Sequence, residues 1–181
     1  MTDFRAAPSL SSAAPVIGIA GWKNSGKTTL AVRLIAEFTA RGFRVASVKH
    51  AHHNFQIDDA ETDSARHRRA GAGQVAIVSA KRWALVRELG TAPEPDFADV
   101  IGMLAPCDVI IVEGYKTTAI PKIEVRRGAA ENTLAPNDPH VIAIATDEPT
   151  AHTDPLPVFH LDDVAAMADF LVQQFDIKRR L

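Results

Sequence analysis

The sequence predicts an α/β domain, a mostly parallel sheet flanked by helices. Three observations carry that expectation. Short apolar strand patterns alternate with helical ones, a glycine-rich loop joins the first strand to the first helix, and residues 108–112 read as a central strand buried on both faces. At 181 residues and 46% apolar content, the chain can bury one sizeable core and is short for two. The expected organisation is a disordered tail over residues 1–14, rich in Ala, Ser and Pro, and a single domain over residues 15–181.

Each element has its own justification. Residues 15–20 are a buried strand and residues 28–40 a helix that Gly42 stops; a β-branched run over 43–48 then makes a second strand, implying a parallel crossover. Residues 49–63 are polar and irregular, and 64–70 read as a short basic helix. Gly71 and Gly73 punctuate the approach to an apolar strand over 74–79, after which residues 82–88 extend the sheet as an edge strand. Phe97, Val100, Ile101 and Leu104 recur at helical spacing within residues 96–104. Beyond the central strand, residues 122–126 alternate polar and apolar, which predicts an outer strand with one wet face. Residues 132–139 form a surface loop and 140–145 a further buried strand. The closing helix, residues 162–175, puts Val164, Met167, Ala168, Leu171 and Phe175 on one stripe, with Asp162 or Asp163 as N-cap.

Gly21, Trp22, Lys23, Asn24, Ser25, Gly26, Lys27 and Thr28 fit G-x-x-x-x-G-K-[ST], the phosphate-binding loop, without a mismatch and in the required strand–loop–helix context. The expected architecture is therefore the three-layer arrangement of P-loop NTPases. The glycines let backbone N–H groups and the helix N-terminus converge on an anion. Lys27 would reach the terminal phosphates, and the Thr28 hydroxyl is placed to ligate a hard cation such as Mg²⁺. In an open parallel sheet ligands sit beyond the carboxyl ends of the strands. That rule points to residues 21–28, 49–63, 113–116 and 146–148.

Glu113 ends the central strand, where such proteins place an acid that orients water on Mg²⁺ or polarises an attacking water, and Gly114 permits a sharp turn and close approach. Asp58, Asp59 and Asp63 follow the second strand; Asp58 or Asp63 could complete a Mg²⁺ shell with Thr28 and Glu113. Lys49, His50, His52 and His53 form a polar cluster suited to phosphate or partner contacts, or to a transition metal, although no zinc spacing built on paired Cys and His is present. Asp147 is the candidate reader of guanine N1–H and N2–H donors, with a turn role before Pro149 as the alternative. Arg66, His67, Arg68 and Arg69 are either a solvated face or an anchor for an anion. Trp83, beside Lys81 and Arg82, is either core or interface.

Formal net charge is −2, so bulk electrostatics favours neither nucleic acid nor a membrane surface. The solitary Cys107 fits a reducing compartment, and no apolar stretch reaches bilayer length; the expected location is cytoplasmic.

The chain resembles the molybdopterin-guanine dinucleotide biosynthesis adapter family, the MobB proteins. The resemblance runs from Val16 to about Phe175. It rests on Gly21-Trp22-Lys23-Asn24-Ser25-Gly26-Lys27-Thr28-Thr29, Val48-Lys49-His50-Ala51-His52-His53, Asp63-Ser64, Arg69-Ala70-Gly71-Ala72, Lys81-Arg82-Trp83-Ala84-Leu85 and Val112-Glu113-Gly114-Tyr115-Lys116. It implies a homodimeric GTP-binding adapter with weak hydrolysis, partner to the guanylyltransferase that joins GMP to molybdopterin. GTP would be held by residues 21–29 and Mg²⁺ by Thr28 with help from Glu113, while Lys49 and His50 would face the transferred phosphate or the partner's substrate. Homodimeric P-loop ATPases with a second lysine carry it directly after the first loop glycine. Here Trp22 holds that place, so Lys23 is assigned a phosphate contact and no trans-acting role. Two readings from other classes stand beside this one: a metallochaperone GTPase using the histidines, and a small-molecule kinase or ligase using ATP.

Overall fold

The computed structural model describes residues 14–51, 62–128, 133–148 and 155–179. The chain forms two compact units, residues 51–100 and the remainder.

The larger unit is built on a six-stranded sheet of order β2-β5-β1-β6-β7-β8, all neighbours parallel. Its strands are β1 (Val16–Ala20), β2 (Val45–Lys49), β5 (Val109–Glu113), β6 (Lys122–Arg126), β7 (Val141–Thr146) and β8 (Val158–His160). The last of these went unpredicted, because three residues next to Pro157 carry too little pattern to announce a strand. Helices α1 (Lys27–Ala40) and α4 (Val164–Phe175) pack against one another. Their apolar stripes, Leu30, Leu34 and Phe38 from α1 and Met167, Ala168 and Leu171 from α4, meet Ile17, Ile19, Val109, Ile111, Ile123, Val125, Ala143 and Ala145 of the sheet.

Local signals set the helix ends. After α1, Gly42 takes φ +83°. Its N–H donates to the Thr39 carbonyl at 2.9 Å and the Phe43 N–H to the Phe38 carbonyl at 3.0 Å. The rings of Phe38 and Phe43 meet edge-on at 5.8 Å, the apolar contact that accompanies a Schellman stop. At the start of α4 the Asp163 carboxylate accepts from the Ala166 N–H at 3.2 Å, so the second of the two candidate caps is the one used.

The alternation read in residues 122–126 is real, but its consequence differs from the expected outer strand. β6 lies between β1 and β7, and all five of its residues are buried. Ile123 and Val125 join the core, so Lys122, Glu124 and Arg126 share the other face, where irregular segments rather than water cover them. Glu124 accepts from the Leu134 and Ala135 N–H groups at 2.6 and 3.0 Å and from the Arg126 guanidinium at 2.8 Å. Lys122 is satisfied by Lys116, Thr118 and Asp138. Polar residues mark a wet face only when nothing else offers them partners.

In the smaller unit, α2 (Asp63–Arg69) is capped by the Thr62 hydroxyl, which accepts from the Ala65 N–H at 3.3 Å. Strands β3 (Gln74–Val78) and β4 (Trp83–Arg87) pair antiparallel in a sheet of their own, so β4 does not extend the main sheet. They are joined through Ser79, whose N–H and Oγ both donate to the Arg82 carbonyl. Trp83 is 72% exposed, correcting the core reading; Val78 and Leu85 are exposed too. Helix α3 (Phe97–Gly102) ends shorter than its apolar spacing implied and contains no buried residue.

Removing the cation from the buried charge pair on β6 tests how this face is held. Arg126→Met leaves the Glu124 carboxylate buried with its two backbone donors alone. It is expected to cost about 3 kcal/mol, the scale for breaking a buried pair, in urea unfolding. A loss below about 1 kcal/mol would show that the backbone donors suffice.

Candidate nucleotide site

At the carboxyl edge of β1 the chain makes a turn available to few side chains. Gly21 has φ +145°, and a Cβ there would lie 2.4 Å from the Val125 carbonyl oxygen of β6. Asn24 is left-handed at φ +64°, and Gly26 caps α1 at φ +100° without a side-chain hydrogen bond. The first N–H groups of α1 are therefore left for a ligand. The Ser25 hydroxyl is buried and has no hydrogen-bond partner among the described residues. A buried orphan hydroxyl is costly and rare, and its place inside the loop suits an anion.

Lys27 folds back over the loop and donates from Nζ to the Trp22 carbonyl at 2.5 Å. Burial pushes its ammonium below the ordinary lysine value; Glu113 pulls the other way, and Lys116 and Lys49 add repulsion. The Thr28 hydroxyl donates to Glu113 Oε1 at 2.5 Å, and Lys49 Nζ lies 3.3 Å from that same oxygen. Four of the expected site residues thus converge on one spot: Lys27, Thr28, Lys49 and Glu113.

The edge of the site is built by His50, Tyr115, Lys116 and Trp22. The His50 N–H donates to the Glu113 carbonyl at 2.9 Å, and its ring stacks on Tyr115 with centroids 4.4 Å apart and planes 26° from parallel. Gly114 is at φ +94°, and a Cβ there would sit 2.9 Å from His50 Cβ, so the stack needs glycine at this turn. Lys116 Nζ lies 4.3 Å over the half-exposed Trp22 ring. Lys23 and Thr29 are exposed around the loop.

Asp147 accepts the Gly128 N–H at 2.8 Å through one carboxylate oxygen, tying the ends of β6 and β7. Asp63 belongs to the smaller unit, where it lies 3.5 Å from Arg66. His52, His53, Asp58 and Asp59 lie outside the described residues. Among the described residues no three His, Cys, Asp or Glu side chains are grouped to hold a metal ion.

One residue beside the loop escaped sequence reasoning. The Arg127 guanidinium packs over Gly26, with Nε 3.4 Å and Cζ 3.9 Å from the position a Cβ would take. Reading β6 as an outer strand removed its carboxyl end from the expected ligand edge; placing it beside β1 would have pointed to Arg127.

A glycine loop of this pattern between a central parallel strand and its following helix defines the class, the P-loop type of α/β fold. The chain belongs to the MobB family: the family model described as Molybdopterin guanine dinucleotide synthesis protein B matches residues 16–147. It is 37% identical to the molybdopterin-guanine dinucleotide biosynthesis adapter protein of Haemophilus influenzae, covering 87% of each chain. It is also 37% identical to that of Escherichia coli, covering 88% of this chain and 92% of the relative. Among solved structures, Bacillus subtilis MobB aligns with a TM-score of 0.73 at 24% identity, covering 92% of this chain and 99% of that one, and supports the fold alone. A MobB homolog from Bacillus stearothermophilus aligns at 0.67 and 27% identity, covering 88% and 96%.

Proposed function

We propose that this chain is a GTP-binding adapter of molybdenum-cofactor biosynthesis that assists the guanylyltransferase attaching GMP to molybdopterin. The observation that carries the reading is the convergence of Lys27, Thr28 and Glu113 at the uncapped start of α1. Residues 21–29 hold the nucleotide phosphates through backbone N–H groups, the Ser25 hydroxyl and the Lys27 ammonium. The residues fit a Mg²⁺ ion: the Thr28 hydroxyl and Glu113 carboxylate would hold it, and when bound it neutralises phosphate charge. Asp147 reads guanine with the carboxylate oxygen that does not face Gly128. Lys49 and His50 face the transferred phosphate or molybdopterin.

Hydrolysis is weak in this reading, because Glu113 already accepts from Thr28 and pairs with Lys49, so it is poorly placed to activate water. No described helix is long and apolar enough to cross a membrane, and with Cys107 as the only cysteine we place the protein in the cytoplasm. A second copy of the chain covers the β3–β4 hairpin. A lone two-stranded sheet is marginally stable in water, and exposed Val78, Trp83 and Leu85, beside strand edges that pair with nothing further among the described residues, favour pairing with an identical edge.

Calorimetry with GTP tests the reading directly. Lys27→Ala should weaken binding by at least about a hundredfold, the loss of a charge-assisted contact at a preorganised site; near wild-type affinity contradicts the assignment. Preference for ATP with an organic acceptor phosphorylated would replace the adapter by a kinase. Tight Zn²⁺ or Ni²⁺ binding lost on replacing His50, His52 and His53 would favour the metallochaperone. Capture of the guanylyltransferase with GTP and with a non-hydrolysable analogue shows whether nucleotide state controls docking.

Two further outcomes follow from the site and the hairpin. Lys27 is depressed when free, and bound phosphate raises it. GTP affinity should therefore be flat below the free value and fall above it by up to about tenfold per pH unit, with one proton taken up; an affinity independent of alkaline pH counts against this. In sedimentation velocity the wild-type chain should run as a dimer and Trp83→Glu shift towards monomer, whereas a monomeric wild type removes the second copy.

A further inference from the structure

The side chain least expected from its surroundings is Lys122, at the head of β6 and 1% exposed. Its ammonium has three hydrogens to donate. They go to the Lys116 carbonyl at 2.9 Å, the Thr118 carbonyl at 2.8 Å and Asp138 Oδ2 at 2.7 Å. Burial opposes ionisation of Asp138, but bonds from Lys122 and from the backbone and ring of His140 hold its carboxyl below the usual range. Room for the lysine exists because Gly18 has no side chain; a Cβ there would lie 2.9 Å from Lys122 Cβ.

A buried lysine paired with one aspartate is weak evidence of stabilisation, since an apolar residue of similar volume often serves as well. An apolar residue could not hold two carbonyls. Those carbonyls belong to residues 114–121, which connect β5 to β6 without a helix. The same segment carries Tyr115, at φ +48° and stacked on His50, and Lys116, over Trp22. Trp22 in turn presents its carbonyl to Lys27. A path of direct contacts runs from the buried ammonium to the phosphate loop.

We propose that Lys122 is a positioning residue: its ammonium pins the backbone of Lys116 and Thr118, so that Lys116 rests on Trp22 and the glycine loop is kept in its ligand-ready shape. The consequence for nucleotide binding rests on the reading above; the consequence for Trp22 does not. With two tryptophans in the chain, a Trp83→Phe background leaves Trp22 as the only tryptophan, read by excitation at the red edge where Tyr115 does not absorb.

In that full-length background, Lys122→Met is compared with Lys122→Met/Asp138→Asn, which removes the lysine without leaving the partly buried Asp138 carboxylate short of its cation, and with Lys122→Gln. The proposal expects the double variant to fold with the wild-type far-ultraviolet spectrum while Trp22 emission shifts and acrylamide quenching roughly doubles. GTP and inorganic tripolyphosphate should bind about tenfold more weakly, the scale of a lost charge-assisted hydrogen bond. Lys122→Gln, which keeps an N–H donor pair, should recover part of both. Lys116→Ala should change Trp22 in the same way and add little to the double variant, because the two changes act on one path. Unaltered Trp22 emission and quenching in the folded double variant would reduce Lys122 to the charge partner of Asp138. If wild-type protein binds no GTP, the function assigned to the loop falls, yet the Trp22 comparison still decides the role of Lys122.

Discussion

How closely β6 approaches β1 governs everything at the carboxyl edge of the sheet. Two positions on the β1 side are stripped of side chains where the strands meet: Gly18 faces Lys122 Cβ at 2.9 Å and Gly21 faces the Val125 carbonyl at 2.4 Å, measured from where a Cβ would stand. Gly18 also donates its N–H to the Pro121 carbonyl at 2.8 Å. With a larger residue at either place the strands would have to separate, and the loop after β1 would lose the strand end it turns against. The glycine of a phosphate loop is usually explained by its approach to the anion. Here Gly21 is also required by a neighbouring strand.

The same close approach explains a charged face in the interior. Helices α1 and α4 supply the apolar cover for the face that carries Ile123 and Val125. The opposite face of β6 meets loops, whose carbonyls and N–H groups lie outside any helix or sheet ladder and need partners as much as the side chains do. Lys122 answers two carbonyls and Glu124 two N–H groups. Charged side chains thus do for irregular backbone what a helix does for itself.

The parts of this fold legible in the sequence are those with one dominant local cause. The strand–loop–helix around Lys27, the glycine stop at Gly42, the aliphatic run of β5 and the apolar stripe of α4 are each specified by residues close in the chain. Misreadings occur where partners distant in sequence decide. Polar alternation in β6 cannot reveal whether water or the Leu134 and Ala135 N–H groups lie opposite Glu124. Trp83 has a strand pattern in either sheet, and pairing with Val78 rather than with a main-sheet strand is a long-range outcome. Within the site, residue type and the strand-end rule located Lys27, Thr28, Lys49 and Glu113, whereas Arg127 was hidden by the misplacement of its strand.

An apparent conflict at the site is resolved by its geometry. Burial and the repulsion of Lys116 and Lys49 both act against the Lys27 ammonium, so the free site holds that charge at a cost. Glu113 offsets this only in part, and it is shared between Thr28 and Lys49. The imbalance is sustained because the fold fixes the groups: Lys27 by the Trp22 carbonyl, the Lys116 segment by Lys122, and the turn at Gly114 by the His50 contact. A ligand carrying several negative charges would offset both the burial of Lys27 and the repulsion from its two lysine neighbours. The cost is thus put in place during folding, and under the proposed function its relief would favour the charged tail of a nucleotide over a neutral competitor of the same shape.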